Sequence, residues 1–175
     1  VCAEFDTAMF VLRFDAAANA IYQFTWSKFC DWYLELIKPV FAEGSDPEAM
    51  PAMETRAVAG WALDQIFVML HPFMPFITEE LWHAQSEFQG GERKYDLITA
   101  AWPNPRAEVS KEATDAIDWV IDLTTNVRSA KNELGIAPGA KLAAFLPEAS
   151  DLAASTIERS SAAIERLARL TPVTV

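Results

Sequence analysis

The stretch that most constrains this chain runs from Phe14 to Glu43, FDAAANAIYQFTWSKFCDWYLELIKPVFAE. It reads as one long helix. Tyr22, Trp26, Phe29, Tyr33, Leu36 and Val40 recur at steps of four and three, which places them on one helical face. Cys30, Ile37 and Phe41 widen that stripe, and Gln23, Ser27, Asp31, Glu35 and Lys38 fall opposite. Asp15 suits the N-cap, because its carboxylate can accept from the first free backbone N–H groups. Pro39 removes one backbone bond and disfavours helical geometry at Lys38, so a kink or a weakened last turn is expected there. A face this aromatic has to be buried, and the partners must come from the rest of the chain.

Those partners read as further helices. Residues 1–12 look like the end of one. Gly44–Pro47 is a loop, and Pro51 opens a second strong helix over 51–70. Its stripe is Ala59, Leu63, Ile66, Phe67 and Leu70, with Gly60 inside it at a cost of roughly 1 kcal/mol relative to Ala. HPFMPF (71–76) breaks that helix. Residues 77–85 make a short amphipathic helix starting at Thr78 or Pro75, with Glu79 and Glu80 in its first turn. Residues 86–96 are a loop, and LITAAWP (97–103) reads as a short extended piece. The third long helix covers 109–134, with Ile117, Val120, Ile121, Thr124, Val127 and Leu134 as its apolar side and Gly135 as a left-handed terminator. LAAFLP (142–147) and TPVTV (171–175) are expected to pair as a small sheet around a last helix. That helix is capped by Ser150 or Asp151 and turns Ile157, Ile164, Leu167 and Leu170 inward. The predicted fold class is all-α, an antiparallel helix bundle over 1–141 followed by a small α/β segment over 142–175.

With 175 residues, 51% of them apolar, and 6 Trp and 11 Phe, the chain can build a sizeable core. No run of about 18 apolar residues predicts a membrane span, and no basic-plus-apolar N-terminal signal is present. Cys2 and Cys30 read as free thiols of a reducing compartment, the cytoplasm. The net charge of −11 argues against general nucleic-acid binding, which needs Lys and Arg at phosphates. Seven of the fourteen basic residues, however, lie between Arg93 and Lys141, so any RNA contact would be local.

Catalytic signatures are missing. His71 and His83 have no second histidine, cysteine or carboxylate at ligand spacing, and no metal ligand set or nucleophile–base pair is expected. His71 is expected to bond a helix-terminal carbonyl. No glycine-rich phosphate loop, nucleophile elbow or thiol pair occurs. Tyr22, Trp26, Phe29, Trp32 and Tyr33 can form a base-stacking platform, but helical spacing favours core. Were Trp26 or Trp32 core, its replacement by Ala would cost about 3–5 kcal/mol. On the third helix, Asn126, Arg128, Lys131 and Asn132 cluster beside the IAPGAK turn, where they can donate to phosphates or base edges; a solvated face reads equally well.

Four segments give the chain a family likeness. NAIYQFTWSKFCDWYLELIKP, HPFMPFITEELW, LITAAWP and NVRSAKNELGIAPGAKL occur in this order. Together they closely resemble the C-terminal anticodon-binding helical domain of the valyl-tRNA synthetases, class I enzymes. HPFMPFITEELW alone is shared in form with leucyl, isoleucyl and methionyl relatives; FCDWYLE and VRSAKNELGIAPG point to valine. The resemblance covers about Phe14 to Val175. It implies a helical bundle that grips the anticodon stem and loop of valine tRNA. It also implies a catalytic half, elsewhere in the same chain, that attaches valine to tRNA using ATP and Mg. The present residues would then hold no active site and no cofactor. Residues 142–175 would be a junction leading towards a coiled-coil arm, and the protein would be a cytoplasmic monomer. The candidate RNA contacts are Arg13, Lys28, Arg128, Lys131 and Asn132. The alternatives are a helical protein–protein interaction module and the equivalent domain of an isoleucyl, leucyl or methionyl relative.

Overall fold

The computed structural model describes every residue except Glu43, Gln89, Gly90, Ala107 and Val175, together with all but the side chain of Phe88. The expected end of the long helix at Glu43, two residues of the expected 86–96 loop and the last residue of TPVTV therefore lie outside the described residues. The chain forms two compact units, Val1–Arg106 and Ala107–Val175. The boundary expected after residue 141 thus falls inside the second unit. The third long helix pairs with the last one.

The first unit contains α1 (Cys2–Phe10), α2 (Phe14–Gln23), a wide-turn π segment (Phe24–Tyr33), α3 (Leu34–Ile37) and a 3-10 turn (Lys38–Phe41). It continues with α4 (Met50–Leu70), α5 (Pro75–Phe88) and a 3-10 turn (Leu97–Thr99). Asp15 is not the cap of α2. Arg13 holds the N-cap position, with φ −90° and ψ 73°, and Asp15 lies in the first turn. The last turn is weakened to a 3-10 turn at Lys38–Phe41 as expected, but Lys38 before Pro39 keeps helical φ −52° and ψ −39°.

The long helical run departs from the expected face because of its middle ten residues. The Leu34 N–H donates to the Phe29 carbonyl, five residues back instead of four. A π turn advances the chain by less angle per residue than an α turn, so the inward face follows a spacing of five. Phe24, Phe29 and Leu34 all pack in the core with Phe5, Ala8, Ala17, Ile21, Ile66 and Met69. Tyr22 and Trp26, which the four-and-three spacing put inside, are 57% and 58% exposed. Trp26 is therefore not core, while Trp32 and Tyr33 are half-buried and Tyr33 stacks on Phe29 at 5.5 Å.

Pro51 sits in the first turn of α4, and the helix ends at His71, which keeps helical φ −54° and ψ −39°; Pro72 has no N–H with which to continue the helical bonding. Phe67 and Val68 of α4 meet Trp82 of α5 and Leu97 in a second apolar cluster. LITAAWP is a 3-10 turn followed by irregular chain rather than an extended strand.

The second unit contains α6 (Lys111–Glu133) and α7 (Asp151–Ala168). Each begins at a serine whose Oγ accepts from the N–H three residues on, Ala113 for Ser110 and Ala153 for Ser150, both at 3.2 Å. Val120 and Thr124 of α6 are buried, as are Ile157, Ile164 and Leu167 of α7 and Leu170 beyond it. Ile117 and Leu134, expected inside, are exposed. Instead of the expected small sheet, two isolated parallel bridges join Leu142 to Leu170 and Phe145 to Thr174. The sequence offset between partners grows by one from the first bridge to the second. The slip falls across Pro172, which has no N–H to give to a ladder.

Candidate nucleic-acid interface

The five candidate contacts are divided between the units. Arg13 and Lys28 belong to the first, and Arg128, Lys131 and Asn132 to the second. Arg13 clamps Asp15 through Nε to Oδ1 at 2.9 Å and Nη2 to Oδ2 at 2.8 Å. The pair is open to solvent. The Arg13 hydrogen bonds, helped by the Ala16 N–H, hold the Asp15 carboxyl down at about 2, and Asp15 in turn raises Arg13. Lys28 is exposed on the π segment, two residues beyond Trp26. Tyr22 and Trp26, one turn apart, thus give this stretch two exposed rings of the kind on which bases stack, while Lys28, two residues on, falls on another side of the helix.

In the second unit, the structure gives two of the candidate cations internal partners. Arg128 donates from Nε and Nη2 to the Leu167 carbonyl at 3.2 and 3.0 Å. Lys131 is only 4% exposed. Its ammonium donates to the carbonyls of Ala140 at 2.8 Å, Ala168 at 3.0 Å and Arg169 at 3.2 Å. An ammonium has three protons, so Lys131 has none left for a phosphate. Asn132, next to it, is exposed. The signal for this lies in the sequence. Val120, Thr124, Val127 and Lys131 recur at steps of four, three and four, so Lys131 continues the buried stripe of α6.

His83 has carboxylate neighbours that the sequence reading denied it. Its Nε2 lies 3.2 Å from Glu79 Oε1 and 3.4 Å from Asp96 Oδ1. Glu79 stands one turn before it on α5, a spacing readable in the sequence, whereas Asp96 arrives through the fold. The three donor atoms lie within 4.8 Å of one another. Glu79 Oε1 also accepts from the Leu97 N–H at 2.7 Å, so the cluster fastens the segment before Leu97 to α5. His71 bonds a side chain rather than the expected carbonyl. Its Nδ1 is 2.9 Å from Thr78 Oγ1, which itself donates to Met74 O at 2.8 Å.

Arg93 is a further internally used cation, one that sequence reasoning did not single out. It grips Asp64 through both Nη atoms at 3.1 and 2.6 Å and lies 3.6 Å from the ring centroid of Trp82. No described helix is long and apolar enough to cross a membrane.

A family model, the anticodon-binding domain of tRNA ligases, matches residues 1–146. The chain belongs to that family. Among its relatives is a valine–tRNA ligase of Rhizorhabdus wittichii, 53% identical over 166 residues, which are 94% of this chain and 18% of the relative. Valine–tRNA ligases of Sphingopyxis alaskensis and Zymomonas mobilis are each 46% identical, over 96% and 91% of the chain and 20% and 18% of the relatives. The chain thus spans about a fifth of the length of the curated relatives it matches.

Proposed function

We propose that this chain is the anticodon-binding part of a valine–tRNA ligase. It binds valine tRNA, and a catalytic part of the same polypeptide attaches valine using ATP and Mg. The observation that carries this reading is the 53% identity to a valine–tRNA ligase along 94% of the chain. The protein works as a cytoplasmic monomer, and the segment around 142–175 leads towards a coiled-coil arm. Within the chain, Arg13 and Lys28 supply phosphate contacts and Asn132 a polar one. Arg128 and Lys131 act indirectly, by fixing the surface on which Asn132 stands. Exposed Tyr22 and Trp26 offer rings to unpaired bases.

Polarisation binding of the chain to a valine tRNA anticodon stem-loop, beside a stem-loop of altered anticodon, tests the reading. Preference for the valine anticodon is expected. Trp26→Ala should leave the fold intact and weaken binding by roughly 1–3 kcal/mol, the value of one base–aromatic stack. Equal affinity for both stem-loops would refute anticodon reading by these residues.

A further inference from the structure

We propose that Lys141 and Arg169, side by side on the second unit and held there by buried Lys131, form a binding site for the sugar–phosphate backbone of RNA. The proposal rests on the reading of the chain as tRNA-binding and assigns it a contact outside the five candidates.

Arg169 follows the last residue of α7 with φ 53° and ψ 52°. That left-handed conformation usually falls to glycine or asparagine. For a residue with a Cβ that conformation is strained, and a glycine would avoid the strain. Strain of this kind persists where the surroundings over-determine the backbone, and the surroundings here are explicit. Lys131 Nζ binds the Arg169 carbonyl and the carbonyl of Ala140, the residue immediately before Lys141. The Leu142 N–H donates to the same Arg169 carbonyl at 3.2 Å, and the Thr171 N–H donates to Leu142 O at 2.8 Å. One buried ammonium and two backbone bonds therefore fix both positions.

The bridge between Leu142 and Leu170 sets them next to each other. Across a parallel bridge the backbones run about 4.8 Å apart, and the left-handed backbone at Arg169 lets its side chain leave on the solvent side although buried Leu170 follows it. Leu170 is buried and Leu142 half-buried, while the residues before them, Lys141 and Arg169, are both exposed. Like charges opposed across such a pair repel. Glu165, one turn earlier in α7, makes no ion pair with Arg169 among the described residues, and neither cation has an acidic partner among them. In a chain of net charge −11, two adjacent cations on a rigid backbone suit an extended polyanion, with a phosphate for each.

The test is tRNA binding by the whole chain as a function of salt, comparing wild type with the double variant Arg169→Gly, Lys141→Gln. Glycine accepts the left-handed backbone without strain, so the fold is retained, which circular dichroism checks. Each lost phosphate contact lowers the slope of log K against log salt by about 0.7–0.9, so the double variant should flatten it by roughly 1.5. Lys111→Gln, which removes an exposed cation already paired with Asp115, should leave the slope unchanged. Binding with an unaltered slope in the double variant overturns the site and leaves the functional reading standing. An equal fall in Lys111→Gln would assign the effect to net charge and also overturn it. No tRNA binding by the wild-type chain overturns both.

Discussion

The two long helices of the second unit end in opposite ways. At the end of α6, Gly135 takes φ 65°. Its N–H donates to Asn132 O at 3.1 Å, and the Ile136 N–H donates to Lys131 O at 2.8 Å. This is the Schellman arrangement, in which backbone groups and one glycine satisfy the helix's own carbonyls. At the end of α7 the left-handed residue is Arg169, and the carbonyls of Leu167, Ala168 and Arg169 are taken by Arg128 and Lys131. Both cations come from α6 and stand where the negative end of the α7 dipole favours them. The α6 end is self-contained, whereas the α7 end depends on its neighbour. The lesson is that basic residues on a helix face are not free for a ligand merely because they are basic.

Breaking the borrowed end should have the largest effect. Lys131→Met keeps most of the apolar stem and takes the ammonium from the Ala140 and Ala168 carbonyls, while the Arg169 carbonyl keeps the Leu142 N–H. A loss of about 3 kcal/mol in urea unfolding is expected, since a hydrogen bond to a charged group is worth about 1.5–3 kcal/mol. A loss below about 1 kcal/mol would mean that water replaces the ammonium. The self-contained end should be more tolerant. A Cβ added at Gly135 meets nothing within 4 Å, so Gly135→Ala carries only the backbone penalty, about 1 kcal/mol. The end of α1 offers the reverse substitution. Leu12 has φ 58° and is 72% exposed, while the Leu12 and Arg13 N–H groups reach Met9 O and Ala8 O at 3.1 and 2.8 Å. This is the Gly135 pattern with a leucine in the glycine position. Leu12→Gly should therefore stabilise, by about 0.5 kcal/mol once the looser unfolded chain is counted. A melting temperature that falls would show that the exposed leucine packs on something.

These ends mark what the sequence could and could not convey. The all-α class was legible because apolar periodicity and punctuating Pro, Gly and Ser residues act locally; Gly135, Ser110 and Ser150 behave as their types suggest. The aromatic face of Phe14–Phe41 was misread because its period changes from within, and nothing in FTWSKFCDWY announces a spacing of five. The fate of Lys131 was half legible. Its place on the Val120–Thr124–Val127 stripe was readable, but the carbonyls it binds are contributed by residues 9 to 38 positions away. The expected small sheet is reduced to two bridges on either side of Pro172, a residue with no N–H to give to a ladder.

A third kind of helix end gives the smallest effect and the clearest contrast with Lys131. At the start of α2 the ionic contact is made entirely in solvent: Arg13 and Asp15 are 64% and 69% exposed along their side chains. The hydrogen bonds from Arg13, with that of the Ala16 N–H, lower the Asp15 carboxyl to about 2, against about 3.9 for an unperturbed aspartate. A carboxyl whose folded value is depressed stabilises the fold above its unfolded value, and that contribution disappears as pH falls through the folded one. The window is therefore between about pH 4 and pH 2. Because water competes for both partners, the change in global stability across it should be slight, even though the titration itself is shifted. Carbon-13 NMR of the Asp15 carboxyl separates the two quantities. A midpoint near 2 is expected in the wild-type chain, moving back towards 4 in Arg13→Gln, with the unfolding midpoint in urea at pH 7 almost unchanged. If Arg13→Gln instead destabilised the chain as much as Lys131→Met, burial would not be what separates the two cations, and the contrast between a borrowed helix end and an exposed one would fail.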